Sequence, residues 1–281
     1  MGTSSSNSGL KGKVPLLPNW ALGPEGDTEA PPDGDNQNDT EDNTNDQNPQ
    51  NDPDSNETKE WNSAKRSVTR FVNSKGKKSA KEAAKNYVRT YGGSKKATKA
   101  SYSGISSGLA LAGFLSGFAA SGYEQNLKNY HLGECIGKSS EEVLAKIADE
   151  IAPIGSTSDE AIARSAVMDT LDKIYEKLLN EGKDIEALGT LDESNLKEMV
   201  MEFISAYIFK KWMYELGLKV EKNELSEKDV VKKENEMRVL IKSEVEVALR
   251  DKNIQTFNVT EGEGKKIIEE IFELAYSTLG K

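Results

Sequence analysis

Apolar residues recur every three or four positions along most of the chain beyond residue 61, which is the spacing of one face of an α-helix. Three of these stripes are long enough to predict helices that face a core. They are Val167, Leu171, Ile174, Tyr175 and Leu178; Leu196, Met199, Val200, Phe203, Ile204, Tyr207, Ile208 and Leu216; and Ile267, Ile268, Ile271, Phe272 and Ala275. Because the alternation typical of strands is scarce, the sequence predicts an all-α fold.

Local signals predict where these helices begin and end. Residues 62–73 and 79–91 have helical spacing, and Gly92-Gly93 interrupts it. Residues 94–120, rich in Gly, Ala and Ser, are predicted to form one further helix. Capping-box patterns mark three helix starts, at Ser139 with Glu142, Thr157 with Glu160, and Thr260 with Glu263.

The first 60 residues lack this periodicity and divide into two parts. Residues 1–20 form an N-terminal motif peptide that starts with small polar residues. Residues 21–60 carry thirteen acidic residues, one lysine and almost nothing apolar. Such a segment cannot offset its ordering entropy, so we expect a disordered acidic linker followed by a helical domain over residues 61–281.

The motif peptide contains an apolar stretch that is costly to leave in water. Glycine at position two favours removal of Met1, which leaves a free α-amine on Gly2 at an unhindered tip. Two prolines stiffen the following stretch towards polyproline II and lower the cost of docking. We therefore predict that it docks on a partner through Pro15, Leu16, Leu17, Pro18 and Trp20.

The charge is distributed in blocks, and the net charge of −10 hides a basic one. Residues 61–100 carry twelve basic residues and one glutamate. Phe71, Tyr87, Tyr91 and Tyr102 lie nearby, so segment 65–99 could bind a nucleic acid by phosphate contacts and stacking. An acidic protein subunit or a merely solvated face are the alternatives. The candidate residues are Lys75, Lys77, Lys78, Lys81, Lys85, Arg89, Lys95 and Lys96.

Signals for catalysis are weak. The single cysteine, Cys135, follows the single histidine, His131, by four positions, but a zinc site needs three or four ligands. The stretch from Gly133 to Ser139 has three residues between its glycines, whereas a phosphate-binding loop needs four. Carboxylates are expected on solvated helix faces. We predict no catalytic residue, no metal site and no cofactor, and hence no enzyme.

An uncharged stretch, residues 101–123, is long enough to cross a bilayer. Its Gly104-x-x-x-Gly108 and Gly113-x-x-x-Gly117 spacings suit close helix packing in a membrane or in a core. Because Gly, Ser and Ala contribute little apolar transfer energy, we favour a core helix over a membrane-active effector. A reducing compartment and the cytoplasm follow as the expected location, with no membrane partner.

The chain also resembles a known family. Gly2-Thr3-Ser4-Ser5-Ser6 leads to Pro15-Leu16-Leu17-Pro18-Asn19-Trp20, and Tyr87-Val88-Arg89-x-x-Gly92-Gly93-Ser94 follows the linker. Further on stand Gly113-Phe114-Leu115, Gly137-Lys138-Ser139-x-Glu141-Glu142-Val143-Leu144 and Asp159-Glu160-Ala161-Ile162-Ala163-Arg164. These motifs are similar to those of QatB, a component of bacterial Qat anti-phage defence systems. The likeness covers the N-terminal motif and roughly residues 62–180, and the C-terminal helices look generic beside it.

The resemblance implies three companions: an ATPase, a QueC-like enzyme and a TatD-like nuclease. QueC enzymes activate the carboxylate of a 7-carboxy-7-deazaguanine with ATP and capture it with an amine. The resemblance therefore implies that the α-amine of Gly2 is a candidate acceptor, with this chain as a non-enzymatic subunit.

Overall fold

The structure is a computed structural model that describes residues 53–74, 77–221, 226–250 and 261–281. Within those ranges it contains ten α-helices and no strand, which confirms the all-α prediction. The chain divides into two units after Trp61, and the second, Asn62–Lys281, is compact. The motif peptide with Gly2, Pro15, Leu16, Leu17, Pro18 and Trp20 lies outside the described residues.

The described helices follow one another along the chain. Their bounds are α1 Pro53–Asn73, α2 Lys77–Thr90, α3 Ser94–Lys99, α4 Tyr102–Ser121, α5 Tyr123–Asn129, α6 Ser140–Ile151, α7 Ser158–Asn180, α8 Glu193–Glu221, α9 Glu227–Leu249 and α10 Glu261–Leu279. Two 3₁₀ turns, Gly133–Cys135 and Ile185–Thr190, lie before α6 and before α8.

Helix α1 begins inside the segment expected to be a linker. The sequence places that boundary at residue 60, whereas the helix starts at Pro53. Proline is pre-organised for the first helical position, where its missing N–H costs nothing, and Asp54 follows in the first turn. Local start signals thus extend the helix into a segment whose composition alone indicates no structure.

Helix α4 is at the centre of the domain and packs against α7, α8 and α10. Leu111, Phe114, Leu115 and Phe118 on it are almost completely buried. By length and composition α4 could cross a membrane, and half of the window that qualifies is buried inside the protein. Its packing matches the core helix that the sequence favours.

The predicted helix over residues 94–120 is in fact two helices. Helix α3 ends at Lys99, α4 begins at Tyr102, and Ser101 between them has φ −104° and ψ 34°. The buried Ser101 hydroxyl bonds the Ala97 carbonyl at 3.0 Å and the Tyr276 hydroxyl at 2.8 Å. The first bond is local, whereas the second joins the break to α10, and periodicity along the chain carries no record of that second bond.

The predicted helix starts agree with the structure wherever it describes them. Thr157 and Glu160 form a complete capping box at the start of α7. Ser139 accepts a hydrogen bond from the Glu142 amide and caps α6, but the Glu142 side chain pairs with Lys138 instead. Thr260 lies outside the described residues.

The predicted apolar stripes of α7, α8 and α10 form much of the core. Val200, Phe203, Ile204, Tyr207 and Ile208 of α8 are all buried. Helix α8 packs on α7 and on α9, and α9 contributes a buried stripe of its own at Met237, Ile241, Val245 and Leu249. The C-terminal helices are therefore part of one core with α4.

Candidate functional site

The break between α3 and α4 faces a buried lysine on α8. The Lys211 ammonium, with its side chain 6 % exposed, lies 2.5 Å from Asp159 Oδ1 and 2.6 Å from the Ala100 carbonyl oxygen. A third contact, at 3.3 Å, joins Lys211 Nζ to the Tyr207 hydroxyl one turn earlier on α8. Because the helix is interrupted here, the Ala100 carbonyl needs another hydrogen-bond donor, and Lys211 supplies it.

Asp159, in the first turn of α7, is the acceptor at the centre of this cluster. Its Oδ1 accepts from the Tyr207 hydroxyl at 2.5 Å, and its Oδ2 accepts from the Ser103 amide at 3.1 Å. A carboxylate in that position also interacts favourably with the helix dipole of α7. One side chain thus joins the starts of α4 and α7 to the middle of α8.

The hydrogen bonds decide the ionisation state of Asp159. Burial raises the pKa of this carboxyl, but the bonds from Lys211 and Tyr207 outweigh it, and the net pKa lies below the ordinary value. The opposite holds for Tyr207, whose pKa is raised well above its ordinary value by burial and by the charges around it. At neutral pH the Asp159 carboxylate is therefore ionised and accepts a hydrogen bond from a neutral Tyr207 phenol.

A second polar group continues one turn further along α8. Both Glu215 oxygens accept from the Tyr91 hydroxyl, at 2.5 and 2.7 Å, and Tyr87 lies 3.4 Å from Tyr91, oxygen to oxygen. Burial raises the pKa of the Glu215 carboxyl above its ordinary value, although the bond from Tyr91 favours the ionised form. Burial also raises the pKa of Tyr87 and Tyr91.

Hydrogen bonds in this region explain one of the motifs on which the family likeness rests. Asp159 and Arg164 bracket one motif: Asp159 makes the contacts above, and Arg164 Nη1 donates to the Ala152 carbonyl at 2.7 Å. Arg164 Nη2 also pairs with Asp149 at 2.6 Å. Arg164 therefore donates to carbonyl groups at the end of α6, and Asp159 accepts from Tyr207 and Lys211. Both charged ends of that motif thus have a structural role.

The cluster corrects the expectation that carboxylates lie on solvated helix faces. Asp159 and Glu215 are half-buried, Asp159 binds the buried Lys211, and Glu215 binds the half-buried Tyr91. The signal available in the sequence is the spacing of Tyr207, Lys211 and Glu215, which are four apart on α8 within an otherwise apolar face. Polar residues at core positions of a helix indicate a buried network and need partners.

The basic candidates do not form one uniform surface. Lys81 pairs with Glu244 of α9 at 3.2 Å, and Lys85 Nζ donates to the Lys281 main-chain oxygen at 3.0 Å. Arg89, Lys95 and Lys96 are exposed, at the end of α2 and on α3. Lys75 and the side chains of Lys77 and Lys78 lie outside the described residues. Exposed positive charge is thus concentrated around α3.

The aromatic residues of the basic segment are mostly unavailable for stacking. Phe71 and Tyr87 are buried, and Tyr91 is bound to Glu215. Tyr102 is the exception, because it is 66 % exposed and the Lys265 ammonium lies 5.6 Å from its ring centroid. Phe71 also has a lysine ammonium near it, with Lys233 Nζ 4.9 Å from its ring centroid, but its ring is buried. Among these four aromatics only Tyr102 is both exposed and beside a lysine.

His131 and Cys135 do not form a ligand pair. Cys135 is buried in the 3₁₀ turn Gly133–Cys135, whereas His131 is exposed and has φ 58°. Burial raises the pKa of the Cys135 thiol. Among the residues that the structure describes, no group of three or more histidine, cysteine or acidic side chains could hold a metal ion.

The fold and the cluster together define an all-helical domain built around α4 and α8, whose buried charges serve helix junctions. Residues 92–279 match the family model QatB, described as Qat anti-phage system associated protein. The chain therefore belongs to the QatB family, and it is a component of an anti-phage defence system that works with other Qat components. No curated protein and no solved structure matches it.

The matched range differs from the extent that the sequence motifs indicate. It runs from Gly92 to Leu279 and so includes α7 to α10, which look generic from the sequence. Asp159, Lys211 and Glu215 all lie within it. Gly2, the docking peptide and most of the basic segment precede it, and nothing in the family match bears on their roles.

Proposed function

We propose that this chain is a non-enzymatic, cytoplasmic subunit of a Qat complex that presents the α-amine of Gly2 to a QueC-like partner. The helical domain binds companions, and the N-terminal peptide enters the partner's active site. The ATPase and the TatD-like nuclease of such systems are the further companions that we propose.

One arrangement supports this proposal: a helical domain that matches the family follows an N-terminal segment suited to presenting its first residue. Gly2 is followed by Thr3 and three serines, none of which adds bulk. The apolar peptide with Trp20 comes next, and an acidic segment follows it. A small terminus, a docking peptide and a spacer thus follow one another in the order needed to deliver Gly2 to a narrow active site.

The proposed chemistry is amide formation. The partner converts a 7-carboxy-7-deazaguanine and ATP into an acyl-adenylate and pyrophosphate. The unprotonated α-amine of Gly2 attacks the acyl carbon, the new amide bond forms, and AMP and a proton leave. An α-amine has a pKa of about 8, so a minor but useful fraction is nucleophilic at neutral pH.

The core of the helical domain supports a subunit role more than a catalytic one. Lys211 and Asp159 satisfy each other and the helix ends around them. Glu215 is held in the same way by Tyr91. Charged side chains that pair with each other in this way stabilise the fold, and they are not available to bind a substrate.

Intact mass spectrometry of the chain co-expressed with its genomic neighbours tests the proposal. We expect loss of Met1 and a covalent addition at Gly2 that requires the QueC-like enzyme. Gly2→Glu retains Met1 because of its bulkier second residue, and it should abolish both the addition and phage defence. Gly9→Glu is the matched control and should preserve both. An unmodified Gly2 in a fully active complex contradicts the proposal.

Docking of the N-terminal peptide has its own test. A buried aromatic anchor often dominates a small interface, so Trp20→Ala should weaken binding of the QueC-like enzyme by about 2 kcal/mol. Trp61→Ala, a tryptophan change outside the peptide, is the control. Equal pull-down of the enzyme by wild type and Trp20→Ala counts against the docking role.

A nucleic-acid-binding subunit acting through segment 65–99 is the second candidate, and exposed Tyr102 favours it. Its ring is available for stacking, Lys265 lies over it, and Lys95, Lys96 and Lys99 of α3 are exposed. Polyanion binding at such a surface falls steeply with salt. A labelled single-stranded DNA that binds wild type in low salt, and that Tyr102→Ala weakens several-fold, would favour this function.

A further inference from the structure

The two-helix layer formed by α2 and α9 leaves a groove on its outer side. It has a volume of about 860 Å³ and extends along α9 from Lys228 to Glu244. At 1.5 Å per residue this stretch is on the order of 24 Å long, which matches a partner helix of about four turns. Ala80 and Lys81 of α2 form its other wall.

The floor of this groove is apolar. Val231 is 54 % exposed and Val239 is 67 % exposed, and Leu240 lies beside them. Val231 and Val239 are eight positions apart, so they lie on the same face of α9 two turns from each other. A ridge of two exposed β-branched side chains is the surface that helix-in-groove recognition uses.

The rim of the groove is positive. Its two glutamates already have partners, because Glu244 pairs with Lys81 at 3.2 Å and Glu236 pairs with Lys233 at 3.0 Å. Lys228 and Lys232 line the same groove, and neither forms an ion pair with any residue that the structure describes. The net charge offered to an occupant is therefore positive.

We propose that the α2–α9 groove binds an amphipathic helix of a partner protein, with an apolar stripe on Val231, Val239 and Leu240 and acidic flanks against Lys228 and Lys232. Charge selects this occupant. A second copy of the chain related by a two-fold axis would bring the lysine rim against itself. Nucleic acid would gain the lysines but leave the valine floor without a complementary surface. The inference goes beyond the Gly2 proposal and does not depend on it.

The first experiment measures binding of a defined probe to the full chain. The probe is a fluorescein-labelled helical peptide of about 18 residues, with leucines at i, i+4, i+7 and i+11 and glutamates on both flanks. We expect anisotropy to show binding that weakens with salt. A peptide with the same leucines and lysine flanks should bind at least tenfold more weakly.

Matched variants on α9 locate the binding. Val239→Glu should lower peptide affinity at least tenfold, and Lys232→Glu should lower it several-fold. Val247→Glu, an exposed valine of α9 outside the groove lining, is the control and should change affinity less than twofold. All three positions are exposed, and unchanged circular dichroism and thermal unfolding confirm the fold. Equal affinity of Val239→Glu and wild type overturns the proposal.

The second experiment identifies the occupant in the assembled complex. A photoreactive benzoylphenylalanine replaces Val239, or Val247 as control, and crosslinked peptides from the co-expressed Qat complex are mapped by mass spectrometry. We expect crosslinks from position 239 to an acidic amphipathic helix of a companion. Crosslinks to a second copy, to nucleic acid or to nothing overturn the proposal. Gly2→Glu should leave these crosslinks intact, which separates this inference from the Gly2 proposal.

Discussion

The cluster around Asp159 contains one lysine and the groove between α2 and α9 contains three, and these lysines differ in their surroundings. Lys211 has three polar contacts within the core, and its carboxylate partner is bonded on both oxygens. Lys228 and Lys232 stand on the rim of an apolar groove. Satisfied buried charges specify how helices meet, whereas charges beside exposed valines are available to a partner.

The difference also separates two kinds of substitution. Removing Asp159 leaves the buried Lys211 side chain without its carboxylate partner, which is expensive. Removing a lysine or valine of the groove costs little stability because water already reaches it. Stability measurements should therefore respond to the cluster, and binding measurements should respond to the groove.

The largest effect is expected for Asp159→Ala. Lys211 would lose its carboxylate partner in a site where its side chain is 6 % exposed, so we expect a loss of about 3 kcal/mol in the free energy of unfolding. Urea denaturation measures this loss. The control is Asp169→Ala, which removes the partner of the neighbouring Lys210 in a pair whose side chains are 25 % and 33 % exposed.

Solvent screening limits that control pair to about 0.5 kcal/mol. Asp159→Ala combined with Lys211→Met should recover part of the loss, because the double variant buries no unpaired charge. If the two single aspartate variants unfold at the same urea concentration, the cluster does not determine stability as proposed.

The next largest effect separates two glycines of α4. A Cβ on Gly104 would approach the Tyr207 ring to 2.6 Å, so Gly104→Ala should cost about 2 kcal/mol by displacing a cluster member. At Gly113 the nearest contact is the Tyr130 hydroxyl at 3.6 Å, so Gly113→Ala should stabilise the protein by about 0.5 kcal/mol through helix propensity. Thermal unfolding compares them, and equal shifts would contradict close packing at Gly104.

The sequence predicts the features of this fold that depend on nearby residues, and it does not predict those that depend on contacts between distant residues. Stripes such as that of α8 and caps such as Thr157 depend on residues a few positions apart, so periodicity and propensity find them. The all-α class and the core role of α4 are predictable for the same reason. The family is also recognisable, because short motifs record it.

What sequence reasoning misses comes from distant residues. Ser101 lies at a break in a good helical pattern, and its hydroxyl bonds that of Tyr276, 175 positions away. The partnership of Lys211 with Asp159 spans 52 positions, and that of Glu215 with Tyr91 spans 124. No local pattern encodes such pairs, and the groove likewise exists only after α9 has packed on α2.

A smaller effect, dependent on pH, is expected for Glu215→Gln. Because burial raises the pKa of Glu215 in the folded protein, the folded state holds its proton more tightly than the unfolded chain does. Stability from this group is fully present below the ordinary pKa of 4.5 and falls as the pH rises through the folded value. Glutamine cannot ionise, and its oxygen can still accept from Tyr91.

Glu215→Gln should therefore be about 1 kcal/mol more stable than wild type at neutral pH, with little difference at pH 4. Glu198→Gln, a change in an exposed pair with Lys177, is the control and should shift stability less. The melting temperatures of the three proteins across this pH range provide the measurement. A wild-type advantage at neutral pH would show that the ionised carboxylate is the stabilising form.

The smallest effect on stability should follow charge reversal at α3. This change tests whether exposed lysines contribute to binding and not to stability. Lys95 and Lys96 are exposed, so the double change to glutamate should shift the free energy of unfolding by about 0.5 kcal/mol or less. Binding should respond far more, because a polyanion loses two contacts and meets two repulsive charges.

Lys232→Glu is the matched charge reversal in the groove. It should leave binding of single-stranded DNA unchanged and weaken binding of the acidic helical peptide. If both reversals weaken both ligands equally, the two surfaces act only through general positive charge, and the distinction between groove and patch fails.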